Sequence, residues 1–236
     1  MGVLLLFNGG FMLLSAFVSF ITKDGITFEM STSSFIVLSL GVLMIIFGRK
    51  HEKQIQKREG YLIVSLGWIL MALSGTIPYL ISGAIPNFNS SFFETMSGYT
   101  TTGASILNDI ESLPDGILFW RSTTHWIGGM GIIVLAIAIL PFLGIGGIQL
   151  FTAEAPGPAG DKLHPRITDT AKRLWLIYVT YTVIETFLLY FAGMTFFDAV
   201  NHAMSTLSTG GFSTKNNSIG FWNDKPIIQY IIITFM

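Results

Sequence analysis

No cysteine occurs in the 236 residues, which excludes disulfides, thiolate metal sites and cysteine nucleophiles together. Charge is scarce too: Asp, Glu, Lys and Arg make up 11% of the chain at a formal net charge of −1, and no nucleic-acid partner is expected. The four histidines are scattered, and neither His-Glu-x-x-His nor Gly-x-Ser-x-Gly occurs, so no zinc-protease helix or nucleophile elbow can be assembled and no enzyme is expected. What fills the space is apolar. Hydrophobic residues are 51% of the chain and the mean hydropathy is +0.62, a membrane composition.

Crossing a bilayer takes roughly 20 apolar residues at about 1.5 Å rise each. Such runs lie at 2–21, 33–48 (a little short), 61–82, 116–143 and 174–193, and another begins at Pro226 and continues for eleven residues to Met236. The first run has no basic start and reads as a retained span rather than a secretory signal. Nine of the thirteen cations cluster in two loops, Arg49, Lys50, Lys53, Lys57 and Arg58 in one, Lys162, Arg166, Lys172 and Arg173 in the other. The positive-inside rule makes both loops cytoplasmic. Residues 22–32, 83–115 and 194–225 are then external and carry Asp24, Glu29, Glu94, Asp109, Glu111, Asp115, Asp198 and Asp224, an acidic face that would concentrate cations.

Laying the sequence on itself with an offset of 108 sets TMSGYTTTGAS (95–105) over AMSTLSTGGFS (203–213). Met96, Ser97, Thr101, Gly103 and Ser105 fall on Met204, Ser205, Thr209, Gly211 and Ser213, and Phe88 and Arg58 on Phe196 and Arg166. The chain therefore reads as an internal repeat of span, short helix, hydroxyl-and-glycine loop and span. A hydroxyl-rich loop between spans is tolerated at membrane depth only if it is buried in protein or lines water. Ser91-x-x-Glu94 has the form of a capping box that would start a short helix running inward and stopping before Gly103. The C-terminal end of that helix, partially negative, would favour a cation at the membrane centre. Glycine lets carbonyl oxygens aim at an axis and threonine adds hydroxyl oxygens, as potassium filters require. The residues thus predict two re-entrant pore loops with filters at Thr100–Gly103 and Ser208–Gly211; packed extracellular turns remain the other reading.

Three further stretches carry a family resemblance: WRSTTHWIGGMGII at 120–133, LPFLGIGGIQLFTAEAPGP at 140–158 and AMSTLSTGGFST at 203–214. They closely resemble the Trk-type potassium-uptake membrane subunit of the Trk/Ktr/HKT superfamily, and the likeness covers nearly the whole chain. It implies an all-α polytopic membrane protein of four membrane-pore-membrane repeats around one pore, preceded by two extra spans. On that pattern 1–59 is the extra pair, 60–168 the first repeat with a cytoplasmic linker, and 169–236 the second repeat, truncated. Only two of four filter segments are then present, and the chain is expected to be the N-terminal half of a longer protein. The matching filter residues are Thr100, Thr101, Thr102 and Gly103, and Ser208, Thr209, Gly210 and Gly211, with potassium expected at Thr101, Thr102, Thr209 and Gly210. In this superfamily glycine at the Gly103 position goes with potassium selectivity, serine with sodium preference in some plant members.

The resemblance implies potassium uptake across the bacterial plasma membrane, no cofactor beyond the transported ion, a cytosolic nucleotide-binding regulatory subunit as partner, the lipid bilayer around it and a homodimer. A secondary transporter with re-entrant loops binding another small ion or solute is the alternative. The Pro- and Gly-rich loop 150–166 is a candidate contact for the regulatory subunit. Arg121 and His125, one helical turn apart between Trp120 and Trp126, read as an interfacial anchor with a snorkelling arginine. Gly128, Gly129 and Gly131 read as a helix-packing surface, and Glu185 as a buried carboxylate paired with a hydroxyl or cation.

Overall fold

A computed structural model describes residues 1–48, 57–131 and 166–236. All regular structure among them is helical: α1 (Gly2–Thr22), α2 (Thr27–Gly48), α3 (Lys57–Gly75), α4 (Ile77–Ile81), α5 (Phe88–Tyr99), α6 (Asp115–Gly129), α7 (Arg166–Phe191), α8 (Phe196–Leu207), a 3-10 turn (Ser218–Trp222) and α9 (Pro226–Phe235). Among the described residues four stretches are long and apolar enough to cross a membrane: Gly2–Thr22, Thr27–Gly48, Leu62–Ile81 and Lys172–Phe191. Their outward faces carry bare aromatics, Phe20, Phe35, Phe47 and Phe191 among them, as helices in lipid do.

α2 begins six residues before the apolar run at 33. The hydroxyls of Ser31, Thr32 and Ser33 turn back onto the carbonyls of Thr27, Phe28 and Glu29 at 2.7–2.8 Å, so a stretch polar in sequence satisfies itself within the helix. α1 and α2 form a hairpin pressed close at glycines: a Cβ on Gly2 would stand 2.7 Å from the Gly41 carbonyl, and one on Gly9 2.7 Å from Leu38 Cγ. α3 breaks at Gly75 and resumes as α4 across Pro78, which cannot donate to the helix ladder. α6 ends at Gly129, and Gly131 has φ +62, so the apolar run 116–143 is not one uninterrupted helix. Residues 132–143, the cations Arg49, Lys50, Lys53 and Lys162, and loop 150–165 lie outside the described residues.

Two cores form. In one, Leu5, Met12 and Ala16 of α1 meet Met30 and Val37 of α2, Tyr79 of α4 and Ile117 and Trp120 of α6. In the other, Leu189 of α7, Ala199 and Ala203 of α8, Trp222 and Ile228 and Ile232 of α9 close together. α6 touches α1, α5 and α8 and so joins the two halves.

Candidate functional site: two capped loops seated on one helix

α5 and α8 obey the 108-residue offset to the residue. Phe88–Tyr99 and Phe196–Leu207 are both twelve residues long, with N-caps Asn87 and Thr195 and C-caps Thr100 and Ser208. The caps differ in chemistry. Asn87 Oδ1 accepts from Asn89 N at 2.9 Å, whereas Thr195 and Asp198 make a reciprocal box: Thr195 Oγ1 accepts from Asp198 N at 3.1 Å and donates to Asp198 Oδ2 at 2.8 Å. The capping box expected at Ser91 and Glu94 is absent because α5 starts earlier. Ser91 Oγ donates instead to the Ile85 carbonyl at 2.7 Å, and Glu94 is committed elsewhere.

Both helices end in the same doubly bonded turn. Thr101 N donates to Gly98 O at 3.1 Å and Thr102 N to Ser97 O at 3.0 Å; in the second loop Thr209 N donates to Thr206 O at 2.8 Å and Gly210 N to Ser205 O at 2.9 Å. This is the Schellman pattern, whose left-handed position glycine usually fills. Here threonine fills it twice, Thr101 and Thr209 each with φ 53. A left-handed residue with a Cβ costs about 1–2 kcal/mol, and a β-branched one is a genuine outlier. The same strain at equivalent points of two loops marks a geometry held for use.

Gly103 and Gly211 follow at φ +72 and +89. The two loops meet here: a Cβ on Gly103 would overlap the Gly210 carbonyl oxygen and stand 3.1 Å from its carbon. Thr100, Thr102, Thr209 and Gly211 are exposed, Thr101 and Gly103 half-buried, Ser208 and Gly210 buried. Not every hydroxyl in the candidate segments is free for an ion. Ser208 Oγ donates back to the helix, 2.9 Å from both Met204 O and Ser205 O, and Thr100 Oγ1 bonds Met96 O and Thr102 Oγ1 at 2.8 Å.

The seat for both loops is one face of α6. Gly98 packs on Thr124, and Gly128 lies so close to the end of α5 that a Cβ there would be 2.7 Å from the Tyr99 carbonyl carbon. Gly129 holds the second loop, where a Cβ would be 2.5 Å from Ser208 Cβ and 2.7 Å from the Tyr178 hydroxyl, and Gly210 packs on the His125 ring. Gly128 and Gly129 do allow close approach, and the ends of α5 and α8 occupy them, whereas no described atom lies within 4 Å of a Cβ on Gly131. Arg121 and His125 are corrected as well: both are buried rather than interfacial. Arg121 Nε pairs with Glu94 Oε1 at 2.6 Å, and its guanidinium lies 3.7 Å over the Phe212 ring, against which His125 stacks at 3.8 Å. Trp120 and Trp126 are not belt residues; their indoles donate to Gly75 O at 3.1 Å and Thr182 Oγ1 at 3.0 Å. The α1 hairpin braces the first loop through Tyr99, whose hydroxyl donates to Asn8 Oδ1 at 2.5 Å while Asn8 donates to Ser74 at 2.7 Å.

Most of the acids expected on the outer face are occupied. Asp24 accepts from Ser19, from Ile26 N at 3.2 Å and from Gly116 N at 2.7 Å. Asn216 clasps the connections that follow α5 and α8: it accepts from Ile110 N at 2.6 Å, donates from Nδ2 to Asp109 at 3.0 Å and from N to Glu111 at 3.0 Å. The Asn216 amide holds the Asp109 carboxyl below its usual range. Glu185 is buried in α7 with neither oxygen in a well-formed hydrogen bond among the described residues, the Thr206 hydroxyl of α8 being the group that faces it. Among the described residues no three His, Asp or Glu side chains converge as a metal site.

Apolar helices of spanning length, together with two short helices whose C-terminal ends converge on glycine-containing turns, define a polytopic helical membrane protein with a duplicated helix-and-turn motif. Comparison with known proteins identifies which. Residues 26–236 match the family model "TrkH: Cation transport protein", and the chain belongs to that family, one of transporters and not of enzymes. It is 46% identical over its whole length to the Trk system potassium uptake protein TrkH of Salmonella typhimurium, aligning with 49% of that protein. It is 43% identical over 75% of its length to the Trk system potassium uptake protein TrkG of Escherichia coli, aligning with 37% of it. The crystal structure of the potassium transporter TrkH from Vibrio parahaemolyticus superposes with a TM-score of 0.81 at 40% identity, covering 99% of this chain and 47% of that one. The chain thus spans about half the length of the relatives it matches.

Proposed function

We propose that this chain supplies two of the filter segments of a potassium-uptake pore in the bacterial inner membrane, Thr100–Gly103 and Ser208–Gly211, with potassium held by backbone carbonyls and by Thr101, Thr102, Thr209 and Gly210. The observation that carries this is the matched pair of helix ends, left-handed threonines at φ 53 followed by positive-φ glycines, meeting where Gly103 abuts the Gly210 carbonyl. The names of the relatives, potassium uptake proteins, supply the ion. Helix C-termini carry partial negative charge and suit a cation, whereas a transporter of small anions would present N-termini. Residues 1–59 act as a bracing pair of spans, 60–168 as the first repeat with its cytoplasmic linker, and 169–236 as the start of the second. In the full protein a homodimer in the bilayer binds a cytosolic nucleotide-binding regulatory subunit, partly through 150–166.

The test is rubidium and sodium uptake by the full-length gene product in cells lacking other potassium uptake. Rubidium uptake that tracks expression and exceeds sodium uptake is expected; expression without either, or uptake indifferent to the two ions, overturns the reading. Cysteines placed at Lys53 and Lys162 of this cysteine-free chain should resist an impermeant label added outside intact cells.

A further inference from the structure

The Glu94–Arg121 pair does more than join α5 to α6. The Glu94 carboxylate, fully buried, accepts from Ser105 Oγ at 3.0 and 3.1 Å and from Ile106 N at 3.0 Å, gripping the limb by which the first loop leaves its filter segment. Arg121, 2% exposed, donates from Nη1 to the Ser213 carbonyl at 3.0 Å and covers Phe212, gripping the corresponding limb of the second loop. Ser105 and Ser213 are equivalents under the 108-residue offset. The second loop repeats the internal half of the arrangement with an imidazole: His202, at the position of Glu94, has Nε2 3.2 Å from Ser213 Oγ. One ion pair thus ties the same point of two neighbouring loops.

A buried pair is a poor way to gain stability, since desolvating each ion costs several kcal/mol that the attraction must offset, and apolar replacements of similar volume are often as stable. What it does provide is a fixed geometry, because the planar guanidinium directs its donors in set directions and stacks on a ring. The remaining hydrogen bonds of both partners fall on the two exit limbs, within three residues of Gly103 and Gly211.

We propose that Glu94 and Arg121 are positioning residues that set the spacing between the two filter segments, and through it the ion preference of the pore. The proposal rests on the filter reading above. Its test uses the full-length protein in the same cells, with potassium-over-sodium preference read from bi-ionic reversal potentials or paired uptake rates, and Gly103→Ala run beside it as a filter control. Arg121→Lys keeps the charge but loses the fork that reaches Ser213 and the flat stack on Phe212. It is expected to accumulate normally and to lower the preference about fivefold or more. Glu94→Gln combined with Arg121→Gln, which leaves no unpaired charge, should accumulate better than either single change and lower the preference similarly. If Arg121→Lys is poorly expressed, Phe212→Leu, which keeps both charges and removes only the ring, should lower the preference by about half or more. An unchanged preference in the variants that accumulate, while Gly103→Ala lowers it, overturns the positioning role and leaves the filter standing. An unchanged preference in Gly103→Ala as well overturns the filter reading, and this proposal with it.

Discussion

Replacing Gly103 by alanine introduces one carbon atom into the contact between the two candidate filter segments. Two costs arise. At φ +72 an alanine pays about 1–2 kcal/mol that glycine does not. The larger effect is steric: the new Cβ overlaps the Gly210 carbonyl oxygen, and since ordinary contact begins at 3.4 Å, that oxygen or the whole turn must retreat by about 1 Å or more. The Gly210 N–H is bonded to Ser205 O at 2.9 Å and its Cα packs on His125, so the displacement falls on the carbonyl that would face the ion. A change of about 1.4 kcal/mol between two ions is already tenfold in preference, so a filter oxygen moved that far is expected to lower potassium-over-sodium preference by about tenfold or more. Gly211→Ala is the internal comparison: at φ +89 it pays the backbone cost, but no described atom lies within 4 Å of its Cβ, so its effect should be in the same direction and smaller. Gly103→Ser should resemble Gly103→Ala, because the Cβ rather than the hydroxyl is the offending atom. The assay is bi-ionic reversal potential, or rubidium and sodium uptake, normalised to protein in the membrane. Equal preference in wild type and Gly103→Ala at equal abundance, or a larger effect at Gly211 than at Gly103, would refute the steric reasoning.

Gly129→Ala should disturb ion preference and not merely expression, since its Cβ would stand 2.5 Å from Ser208 Cβ; normal preference with normal abundance would contradict the seating of the second loop on α6. Thr101→Gly and Thr209→Gly should each relieve left-handed strain and raise detergent stability by up to about 1 kcal/mol while reducing ion preference, a split read by thermal unfolding beside uptake. Glu185→Gln keeps a polar group of the same size at a buried position and should leave abundance and uptake unchanged; loss of uptake together with its pH dependence would instead give Glu185 a role in ion coupling. With the Asp109 carboxyl held below its usual range, the Asn216 clasp is present above the unfolded Asp pKa of about 3.9 and is lost as pH falls through the lower folded value. Accordingly, labelling of a cysteine placed at Ile110 should be insensitive to pH between about 5 and 8 and increase in Asn216→Ala throughout that range.

The membrane class, the repeat and its register were present in the sequence by itself. Apolar runs of spanning length are forced by bilayer thickness, and the 108-residue offset, legible in Met96, Ser97, Thr101, Gly103 and Ser105, predicted a structural equivalence that holds from the N-caps Asn87 and Thr195 to the left-handed threonines. Such features depend on local chemistry and on chain length, which a sequence states directly. Tertiary structure alone decided how the intramembrane polar residues are used. Arg121 beside two tryptophans has the local pattern of an interfacial anchor, and only the approach of Glu94, distant by 27 residues, and of Ser213, distant by 92, makes it a buried link between loops. Ser91 and Glu94 have the spacing of a capping box, but the helix is capped by Asn87 and begins at Phe88, which frees the carboxylate for partners that no local rule identifies. Gly128 and Gly129 announce a close approach without naming what approaches, because a missing side chain specifies space and the fold alone determines that Tyr99 and Ser208 fill it.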